Sequence, residues 1–276
     1  MFSTPRIRAA STSRGVEISV HPPFVMETLW KGDVTMTVLV TGGTGFIGSY
    51  VVRDLLLKGE KVVAYDLNPQ QNSMACVLPE DLQEKPAIVQ GDILDTFKLI
   101  DTCKKYGITK IVHLASTLSD AAQQNPPLAL KTMCEAFVNL LEIARLLPIQ
   151  RVVWASSMAV FGSRDRHLQG YIMNDAPHYP TNIYGICKSL CEGYATQYYN
   201  LYGIDTIGLR IQMLYGFGRL RGGASYINRL LQYPAIGEAG IVESADDIFN
   251  WQYVEDVAEC VVMCLDAPTT KTRVFT

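Results

Sequence analysis

From Met36 onward, short apolar, β-branched runs alternate with longer amphipathic segments. The runs are Thr37 to Val40, Lys61 to Tyr65, Ala87 to Gln90, Lys110 to Leu114, Arg151 to Ala155 and Thr206 to Ile211. Their apolar character is nearly continuous, which is what strands covered on both faces require; a strand with one wet face would alternate. Between the runs, the spacing predicts helices over Phe46 to Lys58, Thr96 to Tyr106, Leu128 to Leu147 and Tyr184 to Tyr202. Strand, helix, strand in repetition implies an α/β fold, a doubly wound parallel sheet with helices on both faces.

Three stretches break the alternation. Residues 1–35 carry Arg6, Arg8 and Arg14 among Ser and Thr, with no acid before Glu17 and no apolar core of a secretory signal; they read as a disordered or non-native extension ahead of Met36. The connection from Gly162 to Ile183 is longer than an ordinary loop and directly precedes a helix, which makes it a candidate wall of a substrate cleft. Met213 to Asp246 is Gly-rich and weakly periodic, so residues 213–276 are assigned to a smaller, partial substrate-binding region with a returning helix and strand. The chain stops on RVFT, a β-like run, and reads as a fragment.

Composition narrows the class. A net charge of -3 provides no basic stripe for nucleic acid, and no apolar stretch reaches the length of a membrane span, so a soluble, cytoplasmic protein is expected. Seven cysteines without a C-x-x-C pair fit a reducing compartment. The pairs Cys187/Cys191 and Cys260/Cys264 lack the acids or histidines of a metal set and are expected to be small buried hydrophobes.

The first strand runs into VLVTGGTGFIGSYVV, placing Gly42, Gly45 and Gly48 between a strand and a helix. A glycine turn there lets the backbone approach a pyrophosphate, held by free N–H groups and the helix dipole. Asp66 ends the second strand, where a carboxylate accepts from adenosine ribose hydroxyls and repels a 2'-phosphate, which favours NAD over NADP. Asp92 at the end of the third strand either meets the adenine or caps the next helix. Tyr184 and Lys188 stand one helical turn apart, so an ammonium sits beside a phenol. Ser156 and Ser157 end the fifth strand at the carboxyl edge, where open α/β sheets bind ligands. His113, in an apolar strand, reads as core.

The ordered set TGGTGFIG, Asp66, GDILD, HLAS, SSMAVFG, DAPHYPTNIYGICK, LRIQMLYG and YVEDVA resembles the extended short-chain dehydrogenase/reductase family, which includes NAD-dependent epimerases and dehydratases. The resemblance implies a Rossmann-like NAD-binding domain over 36–212. It makes Tyr184 the general acid or base, with Lys188 lowering its pKa and holding the nicotinamide ribose, and Ser157 bonding the reacting oxygen. It places Phe46, Ile47, Ile93, Leu114 and Ala115 with Gly42, Gly45, Gly48, Asp66, Asp92, Tyr184 and Lys188 on the cofactor. Ser116, Ser157, Arg210, Met213, Arg219 and Arg221 fall on the substrate side. A homodimer pairing through the Leu128–Leu147 and Tyr184–Tyr202 helices is also implied.

The chain departs from the family pattern where nucleotide-sugar members carry polar phosphate partners. Met213 stands at an Asn position, Phe217 at a Pro, Phe249 at an Arg, and Met133 at a frequent Asn. A substrate other than an ordinary UDP-sugar is therefore expected. Three functions remain open: an epimerase or dehydratase acting on a sugar-like secondary alcohol or ketone, a net dehydrogenase of a small non-nucleotide hydroxy compound, and a non-catalytic NAD-binding scaffold.

Overall fold

The computed structural model describes residues 36–70, 73–167, 171–219, 226–240 and 250–276. The extension 1–35, Arg221 and Phe249 lie outside the described residues. The strands are β1 (Thr37–Thr41), β2 (Lys61–Asp66), β3 (Ala87–Gln90), β4 (Lys110–His113), β5 (Arg151–Ser157), β6 (Thr206–Ile211), β7 (Met213–Tyr215), β8 (Trp251–Tyr253) and β9 (Val274–Phe275). The helices are α1 (Phe46–Leu57), α2 (Met74–Val77), α3 (Thr96–Tyr106), α4 (Ser119–Gln124), α5 (Pro126–Ala129), α6 (Ala136–Leu146), α7 (Ile183–Tyr202), α8 (Tyr226–Ala235) and α9 (Val254–Asp266).

Seven strands form one sheet in the order β3-β2-β1-β4-β5-β6-β9, and every neighbouring pair is parallel. The chain winds outward from β1 in one direction and from β4 in the other, which opens a crevice at the carboxyl ends of those two strands. Thr41 pairs with Tyr65 on one side and His113 on the other, so the three central strands end flush at that crevice.

Alternate residues of each strand feed opposite cores. Val38, Val40, Val62 and Val112 pack with α1 and α9 on one face, while Leu39, Val63, Ile111 and Val152 pack with α3 and α6 on the other. Trp154, Phe137, Met133, Cys187 and Cys191 form a third cluster that docks α7 on the α6 side. At about 25 cal/mol per Å2 of apolar area removed from water, these faces supply the main stabilisation.

Several elements differ from the sequence expectation. β3 is an edge strand, so its burial alternates and Ile88 is left 47% exposed. The helix expected over Leu128 to Leu147 begins at Pro126, capped by Asn125, and is interrupted by a π turn over Leu130–Glu135. Thr132 within that turn pairs its hydroxyl with Thr117 in the loop after β4, at 2.5 Å. Cys260 is exposed, so the pair Cys260/Cys264 is not buried as expected: α9 turns that position to solvent. Within 213–276, α9 covers the α1 face of the main sheet and β9 extends its edge, while β7 and β8 form a separate two-stranded parallel sheet.

Candidate active site

The β1–α1 turn is shaped by close backbone contacts that only glycine permits. Gly42 takes φ 70°, and a Cβ there would fall 2.8 Å from the Ala115 amide nitrogen. A Cβ on Gly48 would lie 2.1 Å from the Gly42 carbonyl oxygen, so the first turn of α1 rests directly on the loop. α1 has no side-chain cap and no acid in its first turn. Among the described residues, the N–H groups of Phe46, Ile47 and Gly48 have no protein acceptor, since the Ser49 amide is the first to bond within the helix, to Gly45. Three free donors at a positive helix end fit a phosphate group, and the residues present therefore suit a dinucleotide.

Asp66, at the end of β2, is half-buried and accepts from the Thr44 amide at 3.2 Å and the Asn68 amide at 3.2 Å. Its carboxylate thus braces the glycine loop and keeps lone pairs free to accept from hydroxyls. Asp92 is exposed and accepts from the Leu94 amide, while the cap of α3 is Asp95, which accepts from Lys98. Ile93 is buried beside the α3 core. Leu114 and Ala115 follow β4, where the Leu114 amide donates to the Thr41 carbonyl and Ala115 packs on Gly42. Ser116 donates to the Thr117 carbonyl.

Across the crevice, β5 ends in Ser157, whose hydroxyl accepts from the Ala159 amide at 3.2 Å and caps a 3-10 turn over Met158–Phe161. Among the described residues, the hydroxyl proton of Ser157 has no acceptor. Asn182 caps α7 by accepting from the Gly185 amide at 2.8 Å. Gly185 lets that first turn approach the 3-10 turn: a Cβ there would sit 2.5 Å from the Ala159 carbonyl oxygen. Tyr184, half-buried, is thereby held beside the segment that starts at Ser157, and its hydroxyl has no hydrogen-bond partner among the described residues. Lys188 is 6% exposed; its Nζ donates to the Ala155 carbonyl at 2.7 Å and lies 5.6 Å from the Tyr184 ring centroid. Ser157, Tyr184 and Lys188 are thus gathered at one strand end.

His113 is buried, bonded through Nδ1 to the Thr41 hydroxyl at 2.8 Å and stacked on Phe137. Burial, reinforced by the nearby Lys188 charge, holds its imidazole down at about 3. It is a neutral core group that sets no second positive charge against Lys188.

On the substrate side, Arg210 is 6% exposed and is engaged by protein groups: Nε and Nη2 donate to the two oxygens of Glu192 at 3.0 and 2.8 Å. Its guanidinium is thereby held by the protein. Met213 lies in β7, paired with Trp251 of β8. Arg219 donates to the Leu214 carbonyl and stands 5.7 Å from the Phe46 ring centroid, near the start of α1. Glu192, His178 and Asn174 had not been singled out from the sequence. One signal pointed to Glu192: Arg210 sits in an otherwise apolar strand and a buried cation needs a counter-charge, which α7 supplies one turn beyond Lys188.

Known proteins share the family pattern and the fold. The family model "NAD dependent epimerase/dehydratase family" matches residues 38–275. UDP-glucuronate 4-epimerase 4 of Arabidopsis thaliana is 30% identical over 247 residues, covering 86% of this chain and 55% of its own. The chain spans about half the length of the curated relatives it matches first. Among solved structures, UDP-glucose 4-epimerase of Thermus thermophilus in complex with NAD aligns with TM-score 0.73 and 25% identity, over 85% of this chain and 76% of that one. L-threonine dehydrogenase of Phytophthora infestans aligns with TM-score 0.71 and 25% identity, over 87% and 75%. With a Rossmann-like sheet, a glycine turn at its crevice and a family match across nearly all described residues, the chain belongs to the NAD-dependent epimerase/dehydratase family.

Proposed function

We propose that this chain binds NAD at the β1–α1 turn and oxidises or reduces a secondary alcohol or ketone carbon of a sugar-like substrate, in the manner of an epimerase or dehydratase. The observation that carries this reading is the gathering of Ser157, Tyr184 and Lys188 at the end of β5, with Lys188 Nζ 5.6 Å from the Tyr184 ring centroid. Bound NAD would supply the hydride acceptor. The free N–H groups of Phe46, Ile47 and Gly48 would hold its pyrophosphate, and Asp66 its ribose hydroxyls. Tyr184, whose hydroxyl is uncommitted, would take the proton from the substrate oxygen and give it back. Ser157 would donate to that same oxygen and orient it. Lys188 keeps a fixed positive charge beside the phenol, and its bond to Ala155 ties the charge to the strand end.

The apolar groups at Met213 and Phe217 support a substrate whose phosphate end, if present, is held differently from that of an ordinary UDP-sugar. A net dehydrogenase of a small hydroxy compound is the second reading, favoured by the likeness to the L-threonine dehydrogenase structure. We also propose that two copies pair through α7, where Ile186, Leu190 and Tyr194 leave an exposed apolar stripe at helical spacing. Light scattering on wild type and Leu190→Arg tests that pairing.

The central test is Tyr184→Phe. Turnover of a nucleotide-sugar and hydroxy-acid panel with NAD should drop by roughly 100- to 10,000-fold while NAD still binds. Unchanged turnover would remove Tyr184 from the chemistry. NADH accumulating in proportion to product would favour the dehydrogenase; product without NADH release would favour the epimerase or dehydratase.

A further inference from the structure

Beneath the candidate site lies a buried charged cluster that the reaction scheme does not use. Glu192 on α7 is 5% exposed and accepts three hydrogen bonds. The Ser156 hydroxyl donates to Oε1 at 2.5 Å and Arg210 donates through Nε and Nη2; Arg210 Nη2 also donates to His178 Nε2 at 3.3 Å. Arg210 also donates to the Asn174 carbonyl at 2.6 Å and the Thr276 hydroxyl at 3.0 Å, and its guanidinium lies 4.6 Å from the Phe161 ring centroid. His178 completes the ring through Nδ1, 2.7 Å from the Ser189 hydroxyl on α7. Asn174 and His178 belong to the long connection between Gly162 and Ile183, the candidate cleft wall.

Two consequences follow from where these bonds point. Successive residues of a strand face opposite sides, so fixing the Ser156 side chain on the α7 side fixes the roll of the strand end and with it the direction of the Ser157 hydroxyl. Burial makes each bond electrostatically stronger and the absence of any one more costly, so the cluster behaves as one unit. An apolar side chain at 192 would fill the space, yet it would set none of these directions.

We propose that Glu192 is a positioning residue: through Ser156 it aims Ser157, and through Arg210, which donates to His178 and to the Asn174 carbonyl, it holds the connecting loop against the ends of β5 and β6, without touching substrate or cofactor. This rests on the reading of Ser157, Tyr184 and Lys188 as the reacting groups. The cluster divides into two arms with separate readouts. The Ser156 arm acts on the chemical step, and the His178 arm acts on the cleft wall.

Glu192→Gln, Ser156→Ala and His178→Asn test it by amide exchange, NAD titration and steady-state kinetics with the member of the nucleotide-sugar and hydroxy-acid panel that wild type turns over fastest. In Glu192→Gln, exchange should quicken by about tenfold or more over 155–160 and 171–181 but not over 36–58, with the NAD Kd within about threefold. Ser156→Ala should lower kcat by about tenfold with KM little changed, and His178→Asn should raise KM with kcat little changed. Exchange that is unchanged, or that quickens equally throughout, overturns the proposal, as does a Ser156→Ala enzyme with wild-type kcat. Should Glu192→Gln fail to fold, the two milder variants decide alone, by their exchange over 155–160 and 171–181 respectively. If no probe is turned over by wild type, that counts against the proposed function, while exchange and NAD titration still judge the role of Glu192.

Discussion

The strands β5 and β6 carry a buried arginine–carboxylate cluster at each end, and the two clusters do different work. At the amino edge, Arg151 donates to Asp205 Oδ2 through Nε and Nη2 at 2.9 and 2.6 Å, and Arg273 donates to Oδ1 at 2.6 Å. Arg151 Nη1 reaches the carbonyls of Cys264, at 2.9 Å, and Ala267, closing the carboxyl end of α9, whose last carbonyls have no partner within the helix. That cluster is a lock on the starts of β5, β6 and β9 and the end of α9. At the carboxyl edge, Arg210 bonds the two oxygens of Glu192 separately and ties a strand end to a long loop beside the candidate site. Arginine–carboxylate pairs thus serve tertiary closure in one place and site geometry in the other; the partners beyond the pair decide which.

The comparison breaks most visibly at the amino edge. Asp205→Ala leaves two buried guanidinium groups without their carboxylate, and unfolding in urea should show a loss of about 3–5 kcal/mol, with NAD affinity unchanged for protein that remains folded. An effect on NAD affinity at constant fold would contradict the division of labour.

Acid separates the two edges further. His113 near the carboxyl edge is held at about 3 against an ordinary 6.5, so the folded form binds fewer protons than the unfolded chain between those values. Stability should therefore fall as pH drops from about 6.5 toward about 3. For Asp205, burial raises the pKa, but the bonds from Arg151, Thr269 and Arg273 outweigh it and hold the carboxyl below its ordinary 3.8, so its contribution is lost only as pH falls below that value. Urea unfolding between about pH 4 and 7 should show a slope that His113→Asn flattens, whereas Asp205→Asn lowers the curve without changing its slope.

Gly185→Ala sharpens the comparison at the carboxyl edge. The added Cβ, 2.5 Å from the Ala159 oxygen, must push α7 away from the 3-10 turn. A cost of about 1–3 kcal/mol is expected. Turnover should fall further than stability, because Tyr184 is the neighbouring residue; equal losses would mean the contact serves packing alone. Asn182→Ala, which removes only the cap of α7, should cost about 1 kcal/mol by urea unfolding and leave the amino-edge cluster untouched.

How much of this was written in the sequence depends on the range of the interaction. The strands β1, β2 and β4 and the glycine turn were legible because their signals are local: apolar runs, and glycines at positions where any side chain would meet backbone. Tyr184 and Lys188 were legible because one helical turn fixes their relation. The pairing of Met213 with Trp251 in the β7–β8 sheet was not, since both runs are short and a parallel pair is joined by a long crossover that leaves no local turn signal. The packing of α9 on α1 requires knowledge of the strand order, which periodicity does not contain. Arg210 advertised a missing counter-charge, yet its commitment to Glu192 follows from the docking of α7 beside β6. Exposure at Cys260 likewise depends on which face of α9 meets the sheet.

The π turn at Leu130–Glu135 carries a consequence for insertions and deletions. It accommodates one residue more than the α-helical ladder needs, so removing a single residue there would restore continuous α pairing into α6. Everything on the amino side would then swing by about 100° around the helix axis. The hydroxyl handshake between Thr132 and Thr117 would be lost, and the loop after β4 would lose its tether to this helix, a length-counting constraint that no point substitution reproduces.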